Sequence, residues 1–127
     1  MSLKTQDLFD VSNKVVVVTG GSRGIGEMIT SGFLANNSKV YITARKEEAL
    51  VKKAEELSQK YSCECIPVSG DISNSEGIDA LVNFLNDAEP EGIDFLINNA
   101  GAAWGANYDD FPESGWDKVM DLNLKTP

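Results

Sequence analysis

The chain has 127 residues, 42% of them hydrophobic and 24% charged, with a net charge of −9 and no histidine. That is one domain's worth of chain with enough apolar residues for a core, and its acidic balance argues against non-specific binding to nucleic acid or to an anionic membrane. With no histidine and only Cys63 and Cys65 as thiols, outside any Cys-x-x-Cys spacing, no metal site is expected.

Met1 to Asn13 is polar and lacks both the apolar run and the arginines of a targeting peptide. Residues 1–12 are therefore read as a polar tail and residues 13–127 as the domain. No apolar stretch approaches membrane-spanning length. Free thiols suit a reducing compartment, so a cytoplasmic location is the expectation.

Lys14 to Thr19 (KVVVVT) has the near-continuous valine of a strand buried on both faces. Thr19 to Gly26 (TGGSRGIG) follows, and Ile25, Ile29 and Phe33 then recur at helical spacing, which predicts a helix from about Gly24. A strand that ends in glycines and re-enters as a helix aims several free N–H groups at one spot. The helix dipole adds partial positive charge there, and a phosphate is the natural guest.

Lys39 to Thr43 reads as a second strand, and Lys46 to Tyr61 as a helix with Leu50, Ala54, Leu57 and Tyr61 in its buried stripe. Glu64 to Val68 is a third, short strand. Cys63 and Cys65 would share one face of it and are read as packing residues. Ser73 or Asn74 can cap the next helix, whose stripe is Ile78, Leu81, Val82 and Leu85. Ile93 to Ile97 is the fourth strand, and Gly101 to Phe111 a loop. The last helix begins near Pro112 or Glu113. On it Trp116, Val119, Met120 and Asn123 fall at i, i+3, i+4 and i+7, which predicts Asn123 on a buried face. Core packing is the default reading for Trp104 and Trp116, with lining of a substrate mouth as the alternative.

Strands alternating with helices imply an α/β fold with a parallel, doubly wound sheet and right-handed crossovers. A Rossmann-like winding puts the strands in the order 3-2-1-4, with a ligand crevice where strands 1 and 4 part. The fourth strand is then an open edge, and the chain reaches Pro127 within a helix. The expectation is an incomplete sheet, the first half of a larger fold.

Gly20, Gly24 and Gly26 follow the pattern T-G-x-x-x-G-x-G, not the G-x-G-x-x-G dinucleotide fingerprint. Together with Asn98-Asn99-Ala100-Gly101 after the fourth strand, Asp71 after the third and Asn123 on the last helix, this pattern resembles the short-chain dehydrogenase/reductase family from about Asn13 to Pro127. The resemblance implies a cofactor pocket formed by Thr19, Gly20, Ser22, Arg23, Gly24, Ile25, Gly26, Arg45, Asp71, Ile72, Asn98, Asn99, Ala100 and Gly101. It makes the Asp71 carboxylate an acceptor for the adenine amino group, against an ordinary turn residue ahead of a helix cap. It makes Asn98 and Asn99 supports of the sheet and pocket, against ordinary turn chemistry.

An NAD site of this type carries a carboxylate at the end of strand 2 for the ribose 2′-hydroxyl. Here that stretch reads Thr43-Ala44-Arg45-Lys46, with no carboxylate before Glu47. Arg45 offers a planar donor fork suited to a 2′-phosphate, and Arg23 can approach from the other side. In the family this pairing goes with NADP; the alternative is two solvent-exposed arginines.

Chemistry in the family resembles a tetrad of Asn, Ser, Tyr and Lys, in which the Asn holds a water of the proton relay. Asn123 matches that Asn, with a structural hydrogen bond to backbone as the alternative. Tyr41, Tyr61 and Tyr108 are none of them followed by lysine four residues later, so the family's Tyr-x-x-x-Lys is absent. The chain alone is therefore expected to reduce no carbonyl, as a fragment of a reductase, a natural truncated form, or one half of a two-chain enzyme. Ala103-Trp104-Gly105-Ala106, Ser114 to Met120 and Ile42 to Arg45 are similar to the 3-oxoacyl-thioester reductases of the rhamnolipid-biosynthesis type. The parent would then take a small carbonyl or alcohol substrate and form a homo-oligomer. A non-catalytic dinucleotide-binding or scaffold module and an NAD-dependent alcohol dehydrogenase of the same family are the alternatives.

Overall fold

Val16, Val17 and Val18 have no solvent exposure, and the fold is arranged around the strand that carries them, β1 (Val15–Thr19). The structure, a computed structural model, describes residues 2–127. One exposed helical turn, α1 (Thr5–Leu8), precedes β1 in the segment read as a tail. Then follow α2 (Gly24–Ala35), β2 (Lys39–Ala44), α3 (Glu47–Tyr61), β3 (Cys65–Ser69), α4 (Ser75–Ala88) and β4 (Phe95–Ile97). A 3-10 turn at Tyr108–Asp110 leads into α5 (Glu113–Met120), which continues as a π-helical stretch at Asp121–Lys125.

The strands are all parallel and lie in the order β3-β2-β1-β4, as the alternating pattern predicts. Side chains alternate across the sheet. Val16, Val18, Val40 and Ile42 point to one face and pack there with Leu34 of α2 and Leu50, Ala54 and Leu57 of α3. Tyr41 faces the other way, with its ring 6.2 Å from that of Phe84 on α4. Among the described residues no helix is long and apolar enough to cross a membrane.

Three expectations need correction. The α4 stripe is less buried than its period suggests: Ile78, Leu81 and Leu85 are half-buried and Val82 is exposed. Two helices share the α2–α3 face, whereas α4 meets the opposite face through Phe84 and its C-terminal end. The fourth strand begins at Phe95, not Ile93. The Asp94 carboxylate takes the Val15 N–H (2.8 Å) and the Lys14 ammonium (3.1 Å), so a side chain occupies a donor that a longer ladder would have used. Ile25, in helical phase with Ile29 and Phe33, is exposed because it stands on the first turn of α2, beyond the sheet edge.

Candidate nucleotide-binding site

In-register parallel pairing brings the strand ends to one edge of the sheet. Thr19 lies opposite Thr43, Ala44 opposite Ser69, and Val18 opposite Ile97. The segments that follow β1, β2, β3 and β4 therefore emerge side by side. Every cofactor-pocket residue named from sequence lies on or next to these four segments.

The turn after β1 and the turn after β4 are fastened to each other. Thr19 is buried, and its hydroxyl donates to the Ile97 carbonyl oxygen (3.3 Å) and accepts from the N–H groups of Asn99 and Ala100 (both 3.0 Å). The Asn99 side-chain amide donates to the carbonyl oxygens of Thr19 (2.9 Å) and Gly20 (3.2 Å). Thr19 and Asn99 thus act on the protein's own backbone, and Asn98 beside them is exposed. Inside the turn, the buried Thr30 hydroxyl of α2 donates to the Gly21 carbonyl oxygen at 3.1 Å. Sequence reading missed Thr30; its signal was a hydroxyl one helical turn after Gly26 on the inward face.

Two glycines shape the cradle. A Cβ on Gly26 would collide with the Gly20 carbonyl oxygen and come within 2.6 Å of Asn99 Nδ2, so the first turn of α2 can pack on the loop only with glycine there. Gly24 has φ +56° and nothing within 4 Å of where its Cβ would be. It opens onto free space at the helix start, in a conformation that costs other residues strain. No side chain caps α2 at Arg23, whereas the Asn74 side chain accepts the Gly77 N–H at the start of α4 (2.9 Å). The first N–H groups of α2 therefore remain available to an anion.

Arg23 and Arg45 leave neighbouring strands at this edge, both exposed and in no ion pair among the described residues. Ser22 is half-buried in the same turn. Asp71 accepts both the hydroxyl (2.7 Å) and the N–H (3.0 Å) of Ser73 on one oxygen, the bonding of a turn residue. The Ser73 hydroxyl first, then its N–H, and also the Arg45 charge hold the Asp71 carboxyl below the usual carboxylate range. Ile72 is buried, and its carbonyl oxygen accepts the Thr126 hydroxyl (2.7 Å), a link between the β3 end and the last helix.

Asn123 is exposed, which corrects its expected burial. The α-helix gives way to π-helical turns at Asp121, so the i+7 phase counted from Trp116 no longer holds there. Its amide instead pairs with the backbone of Ala102, accepting from the N–H (2.8 Å) and donating to the carbonyl oxygen (2.9 Å). Gly101 lies against the same amide. Trp104 and Trp116 are not core residues, being 41% and 60% exposed, because the described residues form no further layer over α5. Cys65 is buried, which pushes its thiol up to about 12, and the half-buried Cys63 thiol donates to the Ser38 carbonyl oxygen (3.0 Å). The concavities along α3 and β3 lie at the far edge of the sheet, away from the glycine turn.

Comparison with known proteins gives a consistent set of likenesses. The profile of the family described as short chain dehydrogenase matches residues 14–127. A rhamnolipids biosynthesis 3-oxoacyl-(acyl-carrier-protein) reductase of Pseudomonas aeruginosa is 42% identical over 116 residues, which cover 91% of this chain and 44% of that protein. An NAD-dependent glycerol dehydrogenase of Listeria innocua is 35% identical over 117 residues, covering 92% and 44%. Among solved structures, the Pseudomonas aeruginosa RhlG/NADP active-site complex superposes with a TM-score of 0.86 at 41% identity, covering 93% of this chain and 45% of that one. L-sorbose reductase from Gluconobacter frateurii, complexed with NADPH and L-sorbose, gives 0.85 at 30% identity, covering 93% and 45%. The chain spans about half the length of the curated relatives it matches.

Proposed function

From the premise that this chain belongs to the short-chain dehydrogenase family, we propose that it is the NADP-binding part of an oxidoreductase that reduces a carbonyl to a secondary alcohol. The observation that carries this reading is the uncapped start of α2, open at Gly24 and flanked by Arg23 and Arg45. The residues present fit the cofactor. The α2 N–H groups take the pyrophosphate, and Gly24 leaves room for it. Arg45 and Arg23 take the 2′-phosphate, where a carboxylate would repel it. The relatives solved with NADP and NADPH support the same choice. Residues 13–127 form this unit in our reading, with residues 1–12 as a polar lead-in.

NADPH supplies the hydride when bound. The protein's task is to hold the cofactor and substrate in line and to deliver a proton to the carbonyl oxygen. Thr19 and Asn99 keep the cradle in shape, Asp71 faces the adenine end beside Arg45, and Asn123 holds a water of the proton relay. None of the three tyrosines is part of a Tyr-x-x-x-Lys. We therefore assign the 127-residue polypeptide cofactor binding without turnover, and assign the reaction to a longer, oligomeric protein. The likeness to the Pseudomonas reductase favours a 3-oxoacyl thioester as substrate. Free thiols at Cys63 and Cys65 favour a reducing, cytoplasmic setting.

The test is NADPH consumption with a 3-oxoacyl thioester by the longer protein to which the reaction is assigned (the intact protein), beside NADPH binding without substrate. Binding with no turnover on any carbonyl would favour a non-catalytic dinucleotide module. The Listeria relative supports one further reading, an NAD-dependent alcohol dehydrogenase, which preference for NADH in the same assay would establish.

A further inference from the structure

The segment after β4 meets the last helix at two points. At the first, Ala102 exchanges its two backbone hydrogen bonds with the Asn123 amide. At the second, the Trp104 indole lies against Gly115, the one buried residue of α5. A Cβ at position 115 would stand 2.7 Å from Trp104 Cδ1, 2.8 Å from Cγ and 2.9 Å from Nε1, closer than real Cβ atoms come. The Lys118 ammonium stands 5.1 Å from the centroid of the same ring, within cation–π range. Glycine within a helix lowers its stability, so the space at Gly115 has a structural use, and that use is the indole.

Only Ala103 separates the two contacts, so seating Trp104 fixes the course of the backbone at Ala102. Asn123 lies in the π-helical stretch, exposed, and Ala102 provides both hydrogen bonds that its amide makes among the described residues. We infer that Trp104, seated on Gly115 beside Lys118, is a positioning residue that orients the Asn123 amide by way of Ala102. Its effect on turnover rests on the reductase reading above; the orientation itself does not.

The test uses the intact protein. Trp104→Ala is expected to lower kcat about tenfold with KM for NADPH unchanged, short of the roughly hundredfold that a full 1 Å misplacement costs. Trp104→Phe, which keeps a ring for Lys118, should restore most of it. If Trp104 acts through Asn123, then Trp104→Ala costs nothing further in an Asn123→Ala background. Gly115→Ala supplies a readout free of activity. It should lower Tm beside Trp104, where its methyl collides with the indole. It should raise Tm in the Trp104→Ala background, where only helix propensity remains.

Amide exchange at Ala102 follows the orientation directly and should quicken in Trp104→Ala but not in Trp104→Phe. An intact protein without reductase activity would remove the reading of function, and these last two measurements would still decide the inference. Gly115→Ala raising Tm in both backgrounds, unchanged exchange at Ala102, or additive kcat losses for Trp104→Ala and Asn123→Ala would each overturn it.

Discussion

The Asn99 side-chain amide donates to the carbonyl oxygens of Thr19 and Gly20, at 2.9 and 3.2 Å, so the turn after β4 holds the turn after β1 in place. The two residues are eighty positions apart in sequence from Thr19 to Asn99, yet adjacent at the edge where β1 and β4 pair. A turn made of glycines has no side chains to stiffen it. This structure stiffens it from outside, through Asn99, Thr19 and Thr30.

Removing that brace has a calculable direction. Asn99→Ala leaves the Thr19 and Gly20 carbonyl oxygens without a side-chain donor, in a part-buried setting. We expect a loss of about 1–3 kcal/mol in unfolding free energy, the range for stranding partly buried polar groups. Cofactor affinity should fall with it, because the cradle loosens. Urea unfolding and NADPH titration of the intact protein check both, and full affinity in the variant would show that the turn keeps its shape unaided.

Gly26→Ala acts on the same contact from the helix side. The added methyl meets the Gly20 carbonyl oxygen and Asn99 Nδ2, and neither is the free end of a flexible chain. Overpacking of this kind costs about 1–3 kcal/mol, and here it must move α2 away from the turn. NADPH binding should be lost at protein concentrations where the wild type saturates. Gly24→Ala, by contrast, meets no atom within 4 Å and suffers only from its positive φ. It should therefore perturb folding less than Gly26→Ala while still crowding the phosphate.

The strand order and the glycine turn were legible in the sequence because each depends on a local pattern. KVVVVT has the near-continuous valine of a strand buried on both faces, and the glycines of T-G-x-x-x-G-x-G stand between it and a run of helical apolar spacing. Thr30 was legible only as an inward-facing hydroxyl one turn after Gly26, since its partner is a backbone oxygen at Gly21 that no residue type announces. Asn123 failed for a different reason: periodicity presumes one helix type, and the chain switches from α to π between Met120 and Asp121. Ile78, Leu81 and Val82 show a third limit. An apolar stripe records what a helix can bury, and the described residues do not fully cover the one on α4.

Away from the crevice, Glu89 ties the end of α4 to β2. It accepts the Tyr41 hydroxyl (2.5 Å) and pairs with the Lys39 ammonium (2.6 Å), and these bonds, Lys39 first, hold its carboxyl below the usual carboxylate range. A carboxylate with a depressed folded pKa adds stability that is present above its unfolded pKa and lost as pH falls through the folded one. Glu89 should thus contribute fully at neutral pH and lose that contribution on acidification below about 4.5. In Glu89→Gln, urea midpoints should be lower at neutral pH and should fall less steeply between about pH 6 and pH 3. Parallel wild-type and variant curves would remove Glu89 from the acid transition.

On the proposed reading, cofactor choice turns on Arg45. It follows β2 at the crevice edge, exposed and free of ion pairs among the described residues, and its charge contributes to the depressed pKa of Asp71. A guanidinium in that place attracts a 2′-phosphate and gives nothing comparable to a 2′-hydroxyl. Arg45→Asp reverses both preferences, repelling the phosphate and offering an acceptor to the hydroxyl. NADPH affinity should fall about tenfold or more, since charge-assisted hydrogen bonds contribute about 1.5–3 kcal/mol. NADH affinity should hold or rise. The NADPH loss should shrink as salt is added, because the site is exposed and screened. Fluorescence titration with both cofactors at two salt concentrations reads all three effects, and equal losses for NADPH and NADH would remove Arg45 from cofactor selection.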